Sequence, residues 1–221
     1  MTKAFIFLGP PGCGKGTQTE LLARELNLPH IDTGSLLRKN INEGTEIGII
    51  AKSFIDKGQL VPTEVAQTVI KNRLMEDDCK EGYILDGFPR SLDQAYALDE
   101  ILDEPTSLIK KDEIKAIYFD VPLDSLVERL VNRRSCPKCG KIYNLKTSAP
   151  LVDGVCDDCK VDLIQRKDDT KETALLRFET YNKQTYPLLD FYTKRGNLQK
   201  INANQSIELV WKDLLNIVYE D

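Results

Sequence analysis

A glycine-rich stretch near the start of the chain contains one lysine and follows a short apolar segment. Gly9, Gly14 and Lys15 fit the G-x-x-x-x-G-K spacing of phosphate-binding loops, but Gly16 follows the lysine, and Thr17 stands one position later than the usual hydroxyl residue. Glycines let successive backbone N–H groups point at phosphate oxygens, and the N-terminus of a following helix adds positive charge. The pattern therefore predicts a nucleoside triphosphate site, the alternative being an ordinary glycine-rich turn from strand to helix.

Four of the six cysteines form two close pairs with the spacing C-x2-C-x16-C-x2-C. Each pair can form a tight turn that offers two thiolates, and two such turns complete the tetrahedral site of a zinc ribbon. Because the protein would supply all four ligands, the metal would be structural. Disulfides and metal-free pairs remain alternatives, but the apolar run near the N-terminus is too short to predict a secretory signal, which favours zinc. The expected ligands are Cys136, Cys139, Cys156 and Cys159.

The charge balance of the chain is acidic. Its 221 residues carry a net charge of −5, from 30 Lys and Arg against 35 Asp and Glu. A broad basic surface for nucleic acid or for an anionic membrane is therefore not expected, and a polyanionic ligand must be met by local clusters of positive charge. No run approaches the ~18 apolar residues of a membrane span. The length suits one compact domain with small insertions, and a cytoplasmic location is expected.

Short apolar segments alternate with helical patterns along most of the chain, which predicts βαβ units, a parallel sheet and therefore an α/β fold. Residues 135–166 break this pattern, because they are poor in large apolar side chains and hold the cysteine pairs, so we expect a small inserted subdomain. Pro62 suits the start of a helix, and Thr33–Gly34 predicts a helix cap. Strands are predicted at 4–8, 28–31, 83–85, 116–119 and 198–201, and helices at 15–26, 46–55, 63–75, 91–102, 121–134, 171–192 and from 206.

The loop GPPGCGKGT, with glycine after the lysine, resembles that of adenylate kinases and related nucleoside monophosphate kinases. Further motifs occur in the family's order: DTGSLLR at 32–38, GQLVP at 58–62, DGFPR at 86–90, ERLVNRR at 128–134 and RKDD at 166–169. The resemblance implies a P-loop NTPase three-layer fold with a five-stranded parallel sheet. It also implies a core of residues 1–31, 62–131 and 170–221, an AMP-binding segment of residues 32–61 and a lid of residues 132–169.

By resemblance, the reaction is transfer of a phosphoryl group from MgATP to AMP, giving two ADP. Such transfer needs two anionic substrates held end to end with cations around the migrating group, and arginine can grip phosphate through two parallel hydrogen bonds. AMP phosphate is mostly dianionic at neutral pH, so no general base is needed, and His30, the one histidine, is expected to be structural. Asp86 would orient water around Mg²⁺. The resemblance assigns catalytic roles to Lys15, Asp86, Arg90, Arg133, Arg166 and Arg177.

Two further sets of residues correspond to the family's nucleotide sites. The ATP set is Gly12, Cys13, Gly14, Lys15, Gly16, Thr17, Arg129, Arg133, Ile142, Tyr143 and Gln205. The AMP set is Thr33, Arg38, Gln59, Leu60, Val61, Gly87, Phe88, Pro89, Arg90, Gln94, Arg166 and Arg177. Thr33 and Gln94 favour AMP, because related UMP/CMP kinases typically carry alanine at the threonine position. Ser35 departs from the family, which usually has an acidic residue after Thr-Gly.

Two other functions remain open at this point. Within the family, the acceptor could be another nucleoside monophosphate such as UMP or CMP. From a different class, the cysteine pairs could mark a zinc-ribbon module that binds nucleic acid and is switched by a nucleotide, although the acidic charge balance counts against it. The expected partners are ATP, AMP and ADP, with no nucleic acid and no membrane, and the resemblance implies a monomer.

Overall fold

The computed structural model describes residues 4–122 and 125–219. A sheet of five parallel strands lies at the centre of the structure. The predicted α/β fold with a parallel sheet is therefore confirmed. The strands are β1 (Ala4–Leu8), β2 (His30–Asp32), β3 (Tyr83–Asp86), β4 (Ile114–Asp120) and β7 (Leu198–Asn202). Their order across the sheet is β2-β3-β1-β4-β7.

Helices cover both faces of this sheet. They are α1 (Lys15–Leu26), α2 (Thr33–Glu43), α3 (Glu46–Ile55), α4 (Thr63–Leu74), α5 (Leu92–Asp103), α6 (Leu126–Val131), α7 (Lys171–Thr180), α8 (Pro187–Lys194) and α9 (Ile207–Tyr219). Among the described residues, no helix combines the length and apolar character that crossing a membrane requires.

The side chains of β1 divide the core into two apolar layers, because successive residues of a strand point to opposite faces. Phe5 and Phe7 pack on one face with residues of α1, α6, α7 and α9. Ala4, Ile6 and Leu8 pack on the other face with residues of α2 to α5 and α8. Burial of β1 on both faces explains its continuous apolar sequence.

Two helix predictions need correction. The helix predicted at 121–134 ends at Val131, and Arg133–Ser135 instead forms strand β5; residues 123 and 124 lie outside the described part. The reason is long-range pairing, since β5 forms an antiparallel ladder with β6 (Ile142–Asn144) that a local helical pattern does not reveal. The helix predicted at 171–192 is interrupted between α7 and α8 by a π-helical turn at Tyr181–Thr185.

Residues 32–61, here termed the helical segment, form a hairpin of α2 and α3 with two side-chain caps. The Asp32 carboxylate accepts hydrogen bonds from the N–H groups of Gly34 and Ser35, and the Thr45 hydroxyl accepts one from Gly48 N–H. The cap of α2 is therefore Asp32 and not Thr33, which is the first residue of the helix.

Residues 132–169, here termed the cysteine segment, contain the β5–β6 hairpin and two cysteine turns. Isolated bridges tie Ser135 to Ile164 and Val155 to Asp162, and regular structure is otherwise sparse. Its buried apolar cluster consists of Cys136, Tyr143 and Cys156. The expected subdomain that is poor in large apolar side chains is thus present.

Candidate active site

A cavity of about 550 Å³ lies at the carboxyl ends of the central strands. The glycine-rich loop, the helical segment, the cysteine segment and the start of α9 all contribute to its walls. In open α/β sheets, ligands bind at this edge. Every residue of the predicted ATP and AMP sets lines the cavity except Phe88, whose side chain is 1% exposed and packs in the core beneath it.

The glycine-rich loop leads from β1 into the first turn of α1. Gly14 stands just before that helix with a φ of 99°, a conformation that L side chains rarely adopt, and no side chain caps the helix N-terminus. The Lys15 ammonium donates hydrogen bonds to its own loop, to Gly9 O at 2.7 Å and Pro10 O at 3.2 Å. Backbone N–H groups, the positive helix end and one ammonium group are thereby gathered where phosphate oxygens can be bound.

Asp86 ends β3 beside this loop and is 9% exposed. A Cβ built on Gly16 would lie 3.8 Å from Asp86 Oδ2, which places the carboxylate next to the glycine-rich loop, and both residues line the cavity. A carboxylate in such a position is a suitable partner for the water shell of Mg²⁺, and the residues present fit that ion. His30 Nε2 lies 3.7 Å from the same oxygen.

His30 therefore lies close to the site, a position that the amino-acid sequence alone did not indicate. Its burial lowers the pKa of the imidazole, but the carboxylates of Asp86, Asp32 and Glu20 outweigh burial and raise that pKa above its usual value. Its Nε2 atom is buried and has no hydrogen-bond partner in the described part of the chain. The prediction that His30 is structural stays a prediction.

Six arginines line the cavity, and several are close enough to repel one another. Burial, together with the positive charges of Arg133 and Arg38, lowers the pKa of Arg166 to about 10. Burial and the charge of Arg133 likewise lower the pKa of Arg177 to about 10. Positive charge concentrated in this way is suited to a polyanionic ligand. The six are Arg38, Arg90, Arg129, Arg133, Arg166 and Arg177.

Two aspartates that the sequence analysis assigned no role hold two of these arginines. Asp169 is fully buried and accepts two hydrogen bonds from the guanidinium of Arg133 on β5, while one of its oxygens lies 3.4 Å from Arg177 on α7. Asp168 accepts a hydrogen bond of 2.8 Å from Arg177. A buried carboxylate between two guanidiniums fixes their orientation. The RKDD motif was visible in the sequence, but these partners lie up to 36 residues away.

Hydrogen bonds to the backbone of Arg90 and to Gly87 fix the position of Arg90. Its guanidinium donates to Gly87 O at 2.9 Å, and a Cβ on Gly87 would lie only 2.6 Å from the same guanidinium. Gln94 Oε1 accepts from Arg90 N–H at 2.8 Å, and the hydroxyl of Thr185, in the π-helical turn, donates to Arg90 O at 2.7 Å. Thr185 is a contributor that sequence analysis missed, because the π turn has no local signature.

Strand β6 connects the cavity with the cysteine turns. The side chain of Ile142 faces the glycine-rich loop, since a Cβ on Gly16 would lie 3.3 Å from Ile142 Cδ1. Tyr143 points the other way: its hydroxyl contacts Cys156 Sγ at 3.5 Å and accepts from Asp157 N–H at 2.9 Å. The hydroxyl of Tyr143 is thus engaged inside the cysteine segment and not in the cavity. Gln205, also in the ATP set, donates its amide to Asp213 at 2.6 Å.

The four sulfur atoms of the cysteine pairs lie within 4.8 Å of one another. Cys139 Sγ and Cys156 Sγ are 3.8 Å apart, which is too far for a disulfide, and all four cysteines are free. In a tetrahedron with Zn–S bonds of about 2.3 Å, the sulfurs are about 3.8 Å apart. The N–H groups of Cys139 and Cys159 also point at the sulfurs of Cys136 and Cys156. The cluster therefore fits a four-thiolate zinc site, and the disulfide alternative is disfavoured.

Known proteins resemble this chain over almost its entire length. The family model for adenylate kinase matches residues 7–197, a range that includes the cysteine segment. Adenylate kinase of Clostridium perfringens (strain 13 / Type A) is 46% identical over 221 residues, covering all of both chains.

Two further relatives show the same level of similarity. Adenylate kinase of Clostridium novyi (strain NT) is 45% identical and covers 98% of both chains. That of Caldanaerobacter subterraneus subsp. tengcongensis is also 45% identical, covering 98% of this chain and 96% of its own. The resemblance first seen in the motifs thus extends over the full length of the chain, and the chain belongs to the adenylate kinase family.

Proposed function

We propose that this protein transfers the γ-phosphoryl group of MgATP to AMP, forming two molecules of ADP, and catalyses the reverse reaction. The observation that carries the proposal is the convergence of six arginines and Lys15 on one cavity at the carboxyl edge of the sheet. A single polyanion would need fewer cations, whereas two facing nucleotides need positive charge on both sides of the migrating group.

The residues divide into three groups by position. ATP phosphates would lie on the glycine-rich loop, with Lys15 turning from its carbonyl partners toward the β- and γ-phosphates. Arg129 and Arg133 would serve the ATP side, while Arg38 and Arg90 would bind the phosphate of AMP. Arg166 and Arg177 would also hold the phosphate of AMP and would face the migrating group itself.

Positioning and charge stabilisation would account for the catalysis. The attacking oxygen belongs to a phosphate that is already ionised, so no side chain needs to remove a proton. Fixed guanidiniums aimed at the transferring group stabilise the charge spread over its oxygens without reorganising during the step. Their repulsion is relieved when phosphate binds, which favours the occupied cavity.

Two metal ions complete the proposal. Mg²⁺, with its water shell oriented by Asp86 and with Thr17 nearby, would neutralise charge on the ATP phosphates when it is bound. Zn²⁺, held by the four cysteines, would fix the shape of the cysteine segment and take no part in the chemistry.

The acceptor base is assigned to adenine. The amide oxygen of Gln94 accepts a hydrogen bond from Arg90 N–H. The NH₂ group of Gln94 can therefore donate a hydrogen bond to a ring nitrogen of a purine. The Thr33 hydroxyl lies 3.4 Å from Asp86 O, and residues 59–61 complete the wall. Because related UMP/CMP kinases typically carry alanine where this chain has Thr33, the resemblance favours AMP over UMP or CMP.

The domain boundaries follow from the same proposal. The helical segment would bind AMP, and the cysteine segment would close over ATP and exclude the water that competes with AMP for the phosphoryl group. We further propose that the protein acts as a monomer in the cytoplasm.

The test is ADP formation from MgATP with AMP, CMP, UMP and GMP in turn, with a reaction lacking acceptor as the control. We expect strong preference for AMP. Preference for a pyrimidine nucleotide would keep the phosphoryl transfer but contradict the base assignment to Thr33 and Gln94. ATP binding without transfer to any acceptor would contradict the proposed reaction.

A further inference from the structure

Asp32 makes more contacts than a helix cap requires. Besides capping α2, its carboxylate accepts a hydrogen bond from the hydroxyl of Ser35 and one of 3.2 Å from the guanidinium of Arg38. That guanidinium also donates to Ser35 Oγ at 3.0 Å. Asp32, Ser35 and Arg38 therefore form a closed network at the start of α2, and Asp32 and Arg38 line the cavity.

Gly34 makes this network possible. A Cβ built on it would lie 3.0 Å from one terminal nitrogen of Arg38, 3.3 Å from the other and 3.2 Å from Asp32 Oδ1. The guanidinium of Arg38 thus passes over Gly34 where it contacts the Asp32 carboxylate. A side chain at position 34 would make Arg38 or Asp32 shift by a few tenths of an ångström, so the glycine leaves room for their contact.

Asp32 also faces the opposite wall of the cavity. Burial alone would raise the pKa of its carboxyl, but Arg38, the Ser35 hydroxyl and Arg166 outweigh burial and hold that pKa below its usual value. Arg166 belongs to the cysteine segment and is repelled by Arg38 and Arg133. The Asp32 carboxylate is thus a negative charge on the helical segment that interacts with Arg38 and Arg166 and offsets part of their repulsion.

We propose that Asp32 is a positioning residue for the acceptor phosphate: with Ser35 and Gly34 it holds the guanidinium of Arg38 in the orientation that binds AMP. This inference rests on the proposed function, because it assumes that Arg38 binds the phosphate of AMP. It also explains why serine at position 35 is compatible with the site, since the carboxylate that reaches Arg38 comes from position 32.

The test compares Asp32→Asn with Asp32→Ser and with the double variant Asp32→Ser/Ser35→Asp. Asparagine and serine both cap helices well, so the single variants remove the charge and keep the cap. The double variant restores a capping pair and places a carboxylate three residues before Arg38, on the same helix face. KM for AMP, KM for ATP, kcat and the melting temperature are measured for each, together with AMP binding by calorimetry without ATP.

We expect both single variants to raise KM for AMP and the calorimetric Kd by roughly ten- to hundredfold, which is the scale of a misplaced substrate group. KM for ATP and the melting temperature should change little, and the double variant should recover most of the AMP affinity. Unchanged AMP affinity in Asp32→Asn would overturn the inference. So would a parallel rise of both KM values with a lower melting temperature, because that pattern belongs to a cap alone.

The wild-type protein separates this inference from the proposed function. If wild type binds AMP and converts it to ADP, the variants test Asp32 alone. If wild type does neither, the proposed function fails, whatever the variants do. If AMP affinity is lost in both single variants and the double variant fails to recover it, the claim that Arg38 needs a neighbouring carboxylate would be overturned.

Discussion

The helical segment and the cysteine segment flank the same cavity, but different interactions hold them together. Leu37 and Ala51 of the helical segment pack into the apolar layer that covers one face of the sheet. The cysteine segment shares no such layer, and its own buried cluster is limited to Cys136, Tyr143 and Cys156. Apolar burial stabilises the first segment, whereas the second has little apolar burial and would depend on the proposed zinc held by its four cysteines.

Because of this difference, a change of local structure should affect the stability of the whole fold in one segment and not in the other. Because the helical segment shares its apolar contacts with the core, changes inside it should be felt by the whole fold. The cysteine segment can lose its internal order while the sheet and its helices stay intact. Variants in the helical segment should therefore change the melting temperature, and variants in the cysteine segment should change the metal content.

The largest effect is expected from Lys15→Met, which touches neither segment and sets the scale for both. The variant removes the ammonium proposed to bind the β- and γ-phosphates, so kcat should fall by several orders of magnitude. The melting temperature should stay close to wild type, because the hydrogen bonds of the Lys15 ammonium go to residues of its own loop. Steady-state kinetics and calorimetry check this, and a kcat within tenfold of wild type would contradict the assignment.

Removal of one cysteine ligand should have the next largest effect. Cys136→Ala should abolish stable metal binding and open the cysteine segment to proteolysis, because metal binding contributes about 10–16 kcal/mol in small zinc modules. Metal analysis and limited proteolysis measure the change, with Cys79→Ala as the matched control for loss of a buried cysteine elsewhere. Chelation of wild type should reproduce it. Full protease resistance without metal would show that packing alone shapes the segment.

Gly48→Ala tests the helical segment in the same way. A Cβ on Gly48 would overlap the backbone carbonyl of Asn40, so α3 would have to move away from α2. We expect a loss of about 2 kcal/mol of folding stability, as for other overpacked sites, with a weaker affinity for AMP and unchanged metal content. Denaturant unfolding measures this, with the exposed Ser53→Ala on the same helix as control. An unchanged unfolding midpoint would mean that the two helices are less tightly packed than described.

The smallest effect is expected from Tyr143→Phe. It removes the hydroxyl that contacts Cys156 Sγ and accepts Asp157 N–H, and loss of such outer contacts typically lowers metal affinity by about tenfold or more. Competition with a chelating dye measures the affinity. Tyr83→Phe is the control, since its buried hydroxyl has no hydrogen-bond partner in the described chain. Equal metal affinity in both variants would exclude a role for Tyr143 in the metal site.

The chain's local patterns predicted those parts of the fold that local forces determine. The glycine-rich loop, the helix at 46–55 and the cysteine spacing each carry their signal within a few residues, and the structure has them where they were expected. The extra helical residues up to 134 were wrong because β5 depends on pairing with β6, which no local periodicity reports.

The residues that the motifs indicated line one cavity, but the contacts between them could not be predicted from the sequence. Motifs identified the arginines, whereas the carboxylates that orient them depend on pairs far apart in sequence, such as Arg133 with Asp169. The cap at Asp32 was missed for a different reason, because Thr33 next to it is also a good capping residue. Only the backbone geometry distinguishes the two.

The direction of the sheet has a practical consequence for observing this protein at work. All five strands run the same way, so their amino ends form an edge opposite the cavity. The connection from α5 to β4 lies at that edge, and Thr106 and Leu108 in it are exposed. A tether or fluorescent label attached there would lie opposite the cavity and would not obstruct the proposed movement of the two flanking segments.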